Sequence, residues 1–171
     1  MEIIAARPEQ VDAMMAITDQ AKANMAAMGI DQWQAGYPNR AVWEADVAAG
    51  AAYVILDEGR VAGMFCYGTE PEAAYDTLDG PWLTEGPYAT IHRCAVDADL
   101  RGRGIIGELF AFACDKAAAD GMVSVRIDTH ADNAPMRRAV EKGGFTFCGG
   151  ITLTEGPEAG APRIAFEKVL G

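Results

Sequence analysis

The residues of this chain best suited to chemistry gather in its second half. Val96 to Leu109 reads Val-Asp-Ala-Asp-Leu-Arg-Gly-Arg-Gly-Ile-Ile-Gly-Glu-Leu: a strand end, a short polar link, a glycine-rich turn and a helix start. Such a turn directs unsatisfied backbone N–H groups outward at the positive end of a helix dipole, a natural seat for a pyrophosphate. Arg101 and Arg103 flank the glycines and would add charge-assisted contacts. The chain has two histidines, His92 and His130. An imidazole titrating near ~6.5 is suited to taking a proton from an amine, directly or through water. The four cysteines, Cys66, Cys94, Cys114 and Cys148, are scattered without Cys-x-x-Cys spacing, so buried reduced thiols are expected and a metal site is not.

Two anion-binding chemistries compete for the glycine turn. Gly102-x-Gly104-x-x-Gly107 matches the dinucleotide fingerprint, and Asp128 follows at about the right ~20-residue distance. That reading would make the protein an NAD(P)- or flavin-dependent oxidoreductase. Its context argues against it, because Asp97 to Arg101 intervene between the strand and the first glycine. The chain beyond Thr129 is also too short for the further strand–helix units of a doubly wound sheet.

The elements that must position these residues are legible from periodicity. Glu2–Arg7 reads as a strand, and Pro8 opens a helix whose Val11, Met14, Met15, Ile17, Met25 and Met28 recur at helical spacing up to Gly29. A second helix is predicted over Arg40–Ala49. Strands at Ala52–Leu56 and Val61–Tyr67 flank an Asp57-Glu58-Gly59-Arg60 turn, an antiparallel hairpin. Tyr88–Val96 is a further strand, and Gly104–Ala119 a helix closed by Gly121. Val123–Thr129 alternates as a strand, Asn133–Lys142 is a short helix stopped by Gly143-Gly144, and Phe145–Leu153 and Arg163–Val169 are the last strands. The expected fold is one α/β domain over residues 1–171, with a mixed, mostly antiparallel sheet in the order β-α-α-β-β-β-α-β-α-β-β. Two irregular segments, Gly29–Asn39 and Thr69–Gly86, carry Trp33, Tyr37, Tyr75 and Trp82; a loop as long as Thr69–Gly86 is usually functional or mobile.

Composition narrows the partners. Lys+Arg is 14 against Asp+Glu of 25, a formal charge of −11, which repels nucleic acid and anionic membranes. The first residues lack a basic n-region and an apolar h-region, and no apolar run approaches ~18 residues. A cytoplasmic protein with no membrane and no nucleic-acid partner is expected.

Arg101-Gly102-Arg103-Gly104-Ile105 resembles the Arg/Gln-x-x-Gly-x-Gly/Ala signature of the GNAT superfamily of N-acetyltransferases. Asp132-Asn133-Ala134-Pro135-Met136 followed by Glu141-Lys142-Gly143-Gly144-Phe145 resembles the family's Asn-x-x-Ala/Met…Glu-Lys-x-Gly-Phe segment, and the element order fits nearly the whole chain. The resemblance implies acetyl-CoA as cosubstrate, no metal, and direct acetyl transfer to the amine of a small molecule or peptide. It implies that Gly102, Arg103, Gly104, Ile105, Ile106 and Gly107, with Arg101, hold the pyrophosphate. The strand bearing Cys94 and Val96 would splay from its neighbour at Thr129 to bind the pantetheine arm. The Cys94 N–H would then polarise the thioester carbonyl, and Asn133 would contact the cofactor. His92 becomes the candidate base, with His130 second and Asp128 an orienter or amine anchor. Trp33, Tyr37 and Trp82, with Tyr75, would wall the acceptor pocket, near Asp31, Asp76 and Asp79. Among the other cations, Arg93, Arg126, Arg137 and Arg138, the helix places Arg137 or Arg138 best for the 3′-phosphate of CoA. Ile106 stands where the family has Gly or Ala, and Val140 where many members carry a tyrosine acid. A CoA-binding domain without catalysis is the alternative that the missing tyrosine suggests. Dimers are common in such proteins, though no segment of the sequence marks an interface.

Overall fold

Alternating apolar residues build seven strands into one sheet. The computed structural model describes residues 1–171. In chain order the elements are β1 (Glu2–Ala5), α1 (Val11–Ala27), α2 (Arg40–Ala48), β2 (Ala52–Asp57), β3 (Arg60–Gly68), β4 (Tyr88–Val96), α3 (Ile105–Ala119), β5 (Ser124–Thr129), α4 (Ala134–Lys142), β6 (Thr146–Thr152) and β7 (Pro162–Val169). Strand order in space is β1-β2-β3-β4-β5-β7-β6, with β4–β5 the one parallel pair. The order of elements is that expected from the sequence. Differences lie at the edges: Pro8–Gln10 is a separate 3₁₀ turn before α1, and further 3₁₀ turns occupy Ala73–Thr77 and Ala98–Leu100.

Side-chain alternation assigns the two faces. Phe65, Ala89, Ile91, Val125 and Ile127 meet Leu109, Phe110 and Ala113 of α3, with Val140 and Phe145, in the larger core. Val54, Met64 and Ala95 meet Met14, Ile17 and Trp43 of α1 and α2 on the opposite side. Each of these large side chains contributes about 1.5–3 kcal/mol by leaving water. The Gly-Gly stop after α4 follows from packing: a Cβ on Gly143 would lie 2.8 Å from the Phe110 ring, so only glycine lets α4 settle this close to α3. No helix is long and apolar enough to cross a membrane.

Two features of β4 create the opening on which the rest depends. Its pairing with β5 ends at Thr90↔Arg126, yet β4 runs on to Val96 and β5 to Thr129, so the strands diverge. On its other edge, Met64 pairs with Ala95 and Cys66 with His92, which puts Arg93 and Cys94 together opposite Phe65. That is a β-bulge, a device that re-aims side chains and frees backbone groups from the ladder. Arg93 takes a left-handed conformation there, φ 49°, at an expense of about 1–3 kcal/mol. Its guanidinium offsets this through Asp46 (Nε–Oδ2 2.9 Å), the Tyr37 hydroxyl (2.7 Å) and Cys66 Sγ (3.2 Å).

Candidate active site

The wedge between β4 and β5 opens into a cleft of about 1260 Å³, lined from Thr90 to Val96 on one strand and Ile127 to Thr129 on the other. At one end stands the glycine turn. Gly102 and Gly104 have φ of 80° and 79°, left-handed conformations that glycine adopts without strain, and Gly104 caps α3 with no side-chain partner. The N–H groups of Arg101 through Ile106 donate to no protein atom; the first amide of the turn with an acceptor is Gly107, bonded to the Gly104 carbonyl at 3.0 Å. A β-carbon at Gly102 or Gly104 would meet nothing within 4 Å, so both glycines face open space. A run of outward donors at a helix N-terminus fits a pyrophosphate. The loop before it is fixed by buried Asp97, which accepts from the Asp99 amide at 3.0 Å and pairs with Arg60. Burial alone would raise the Asp97 pKa, but that amide and Arg60 hold it below the ordinary value.

The cations of the region divide unequally. Arg101 lines the cleft, touching only Asn24 at 3.4 Å, and Arg138 and Lys142 line it from α4. Arg103 gives its guanidinium to Asp57 at 2.6 Å and lies outside the cleft lining, a correction to the expectation that both arginines reach the anion. Arg93 and Arg126 are also committed elsewhere. Arg126 is stacked between Trp82 and Tyr88, at 4.0 and 3.9 Å, and bonds Glu167. Arg137 donates to the Ala131 carbonyl at 3.1 Å.

Of the remaining predicted residues, His92, Cys94, Val96, Ile105, Ile106, Asn133, Trp33, Tyr37 and Asp128 all line the cleft. Asn133 is the N-cap of α4, its Oδ1 accepting from Met136 N at 3.3 Å. Burial pushes the Cys94 thiol up to about 12, so it stays protonated. Three expectations need relocation. His130 is not in the lining: its Nδ1 accepts from Asp132 N at 3.0 Å and its Nε2 lies 3.2 Å from Asp31, tying the end of β5 to the Gly29–Asn39 loop. Trp82 is also outside, its Nε1 donating to the Tyr75 carbonyl at 3.0 Å and its ring covering Arg126. Asp31, Asp76 and Asp79 do not face the cleft; the carboxylates that do are Glu70, Glu72, Asp128, Glu155 and Glu158. Val140 is fully buried in the core with α3 and is not part of the cleft lining.

The structure adds groups that spacing alone did not reveal. His92 Nε2 bonds Glu72, which lies twenty positions earlier. Tyr75 donates its hydroxyl to Asp128 Oδ1 at 2.8 Å. Burial alone would lower the His92 pKa, but Glu72, with Asp128 nearby, raises it above the ordinary value. Burial raises that of Asp128 despite His92 and Tyr75. At the far rim, buried Arg163 holds Glu158 at 2.9 Å, and Glu158 accepts from the Trp33 amide at 2.9 Å, joining the β6–β7 loop to the α1–α2 loop. A single sequence carries no signal for pairs that meet only through folding.

The acetyltransferase (GNAT) family model matches residues 15–145. A GNAT-family acetyltransferase structure from Streptococcus agalactiae superposes with a TM-score of 0.85 at 32% identity, covering 98% of this chain and 94% of that one. An N-acetyltransferase from Staphylococcus aureus superposes with a TM-score of 0.70 at 22% identity, covering 99% and 98%. The Salmonella typhimurium protein yncA, solved with its cofactor acetyl-CoA, gives 0.66 at 19% identity, covering 99% and 94%. No curated protein matches the chain.

Proposed function

The chain belongs to the acetyltransferase (GNAT) family, and we propose that it carries acetyl from acetyl-CoA to the amine of a small molecule or peptide by direct attack. The observation that carries this reading is the row of unpartnered amides from Arg101 to Ile106, set beside strands that part at Thr90. Those amides would hold the pyrophosphate, with Arg101 as an ionic partner. The parted edge of β4 would bond the pantetheine arm, and Asn133 would border it. Bound there, acetyl-CoA supplies an activated acetyl group: the amine nitrogen bonds the carbonyl carbon, the carbon–sulfur bond breaks and CoA leaves as thiolate.

The chain's own residues then have distinct tasks. The Cys94 N–H, in the bulge and without a register partner of its own on β3, would donate to the carbonyl oxygen where negative charge develops. His92 would take the proton the amine must lose. Asp128, half-buried with only one oxygen bonded, would anchor the amine. The protonated Cys94 thiol argues for direct transfer over an acyl-cysteine route. Val140 cannot protonate the departing sulfur, and a thiolate leaves without that help far more easily than an amide ion would. Trp33 and Tyr37, with Glu70, Glu72 and Glu155, would give the acceptor end an aromatic and acidic character suited to a cationic amine.

Thermal unfolding with acetyl-CoA, CoA and NADP side by side tests the cofactor. A ligand at ~100 times its Kd adds about 2.7 kcal/mol, a shift of several degrees at this size. Both CoA species should shift the transition and NADP should not, and an amine should then drive thiol release. A shift with NADP alone would refute the assignment of the glycine turn.

A further inference from the structure

We propose that Glu72 is a positioning residue for His92: its carboxylate holds the ring at Nε2, which fixes the neutral tautomer and leaves Nδ1 as the lone pair that accepts a proton. This rests on His92 being the proton acceptor. An ionised carboxylate can only accept, so a neutral His92 in contact with Glu72 carries its hydrogen on Nε2. Nδ1 has no protein partner, and the ring lines the cleft.

The hold on the ring is built rather than incidental. Glu72 lies in the long irregular segment, outside the sheet, and its own amide donates to the Tyr88 hydroxyl at 2.8 Å. Three residues on, Tyr75 is buried and stacks near the imidazole, with ring centroids 6.2 Å apart, while its hydroxyl reaches Asp128. Trp82 bonds the Tyr75 carbonyl and closes the segment down on β5. The two partners are shielded on most sides, with 27% of the His92 side chain and 30% of that of Glu72 exposed.

The groups facing His92 are Glu72 and Tyr75 from this segment, Asp128 from β5, Cys66 from β3 and Arg93 next along β4. Burial and Arg93 favour the neutral ring; Glu72 and Asp128 favour the cation and prevail. The ring therefore releases its proton at a higher pH than a free imidazole, and activity that needs the neutral ring rises with pH along a limb placed above ~6.5. Glu72→Gln keeps an oxygen that can accept from Nε2–H but removes the charge, so the limb moves to lower pH. Glu72→Ala removes both, and kcat falls roughly 10- to 100-fold, the scale on which losing the carboxylate partner of a functional histidine lowers activity. KM for acetyl-CoA stays unchanged in both.

The experiment follows the His92 imidazole by NMR through a pH titration of the full chain, wild type and Glu72→Gln, with His92→Gln to assign the signal. The pH profile of kcat/KM is recorded on the same proteins and on Glu72→Ala. The expected result is a lower His92 midpoint in Glu72→Gln, a limb displaced with it, and a large kcat loss only in Glu72→Ala. A midpoint and limb that ignore Glu72→Gln while the limb vanishes in His92→Gln would overturn the role of Glu72 alone. A limb that persists in His92→Gln would overturn the proton-acceptor reading, and this inference with it.

Discussion

Strand β5 carries two polar clusters a single pleat apart, and they solve the problem of a buried charge in opposite ways. Around Arg126, Glu167 is fully buried yet receives Thr84 Oγ1 and Ser124 Oγ at 2.5 and 2.6 Å, the Leu83 amide at 2.5 Å and Arg126 Nε at 3.2 Å. Burial would raise its pKa, but these donors pull it below the ordinary value. Around Asp128 the pairing is incomplete: one oxygen takes the Tyr75 hydroxyl, the other has no protein donor, and burial keeps the pKa raised. A charge with every lone pair satisfied is held still. A charge with lone pairs to spare, facing a cleft, remains able to receive a ligand or a proton.

The largest effect that distinguishes the two is expected from Glu167→Ala. It strands Arg126 without its counter-ion and should lower unfolding stability by about 3–5 kcal/mol, read from denaturant midpoints, while the folded fraction keeps its pH–rate limb. Asp128→Asn should do the reverse. Because the folded pKa of Asp128 is raised, its carboxyl contributes stability at low pH that is lost as pH rises through the folded value. Removing the charge should therefore leave the melting temperature at neutral pH unchanged or higher, and KM for the amine should rise. An Asp128→Asn protein that unfolds like Glu167→Ala would erase the distinction between the clusters. The smallest effect belongs to Arg103→Ala. Its ion pair with Asp57 is half exposed, so stability should change by no more than about 1 kcal/mol, with acetyl-CoA affinity unaltered in calorimetry.

The same contrast explains what was legible before folding. The glycine-turn end of the cleft is made of backbone, and backbone chemistry is written locally: two left-handed glycines and a helix start lie within Gly102–Ile105, a spacing visible in the chain. The order of strands and helices was readable because each buries one face and so repeats its apolar residues. The end around His92 and Glu158 is made of side chains from distant segments. Glu72 meets His92, Glu158 meets the Trp33 amide, and Arg93 swings to Asp46, each decided by how loops pack and by one bulge in β4. Trp82 and Arg126 illustrate the resulting error. As an aromatic in a loop and an arginine near a phosphate site they suggest ligand contacts, yet they stack on each other within the closed cluster.

The central claim is that the open cluster moves a proton during acetyl transfer. The most direct measurement is kcat/KM for amine-dependent thiol release from about pH 6 to 9, at saturating acetyl-CoA, for wild type and His92→Gln. The account predicts a rising limb in the wild type, and in His92→Gln a flat profile lowered by about 10²–10⁴-fold with melting temperature and acetyl-CoA affinity retained. A His92→Gln enzyme with the wild-type rate and the wild-type limb would contradict it.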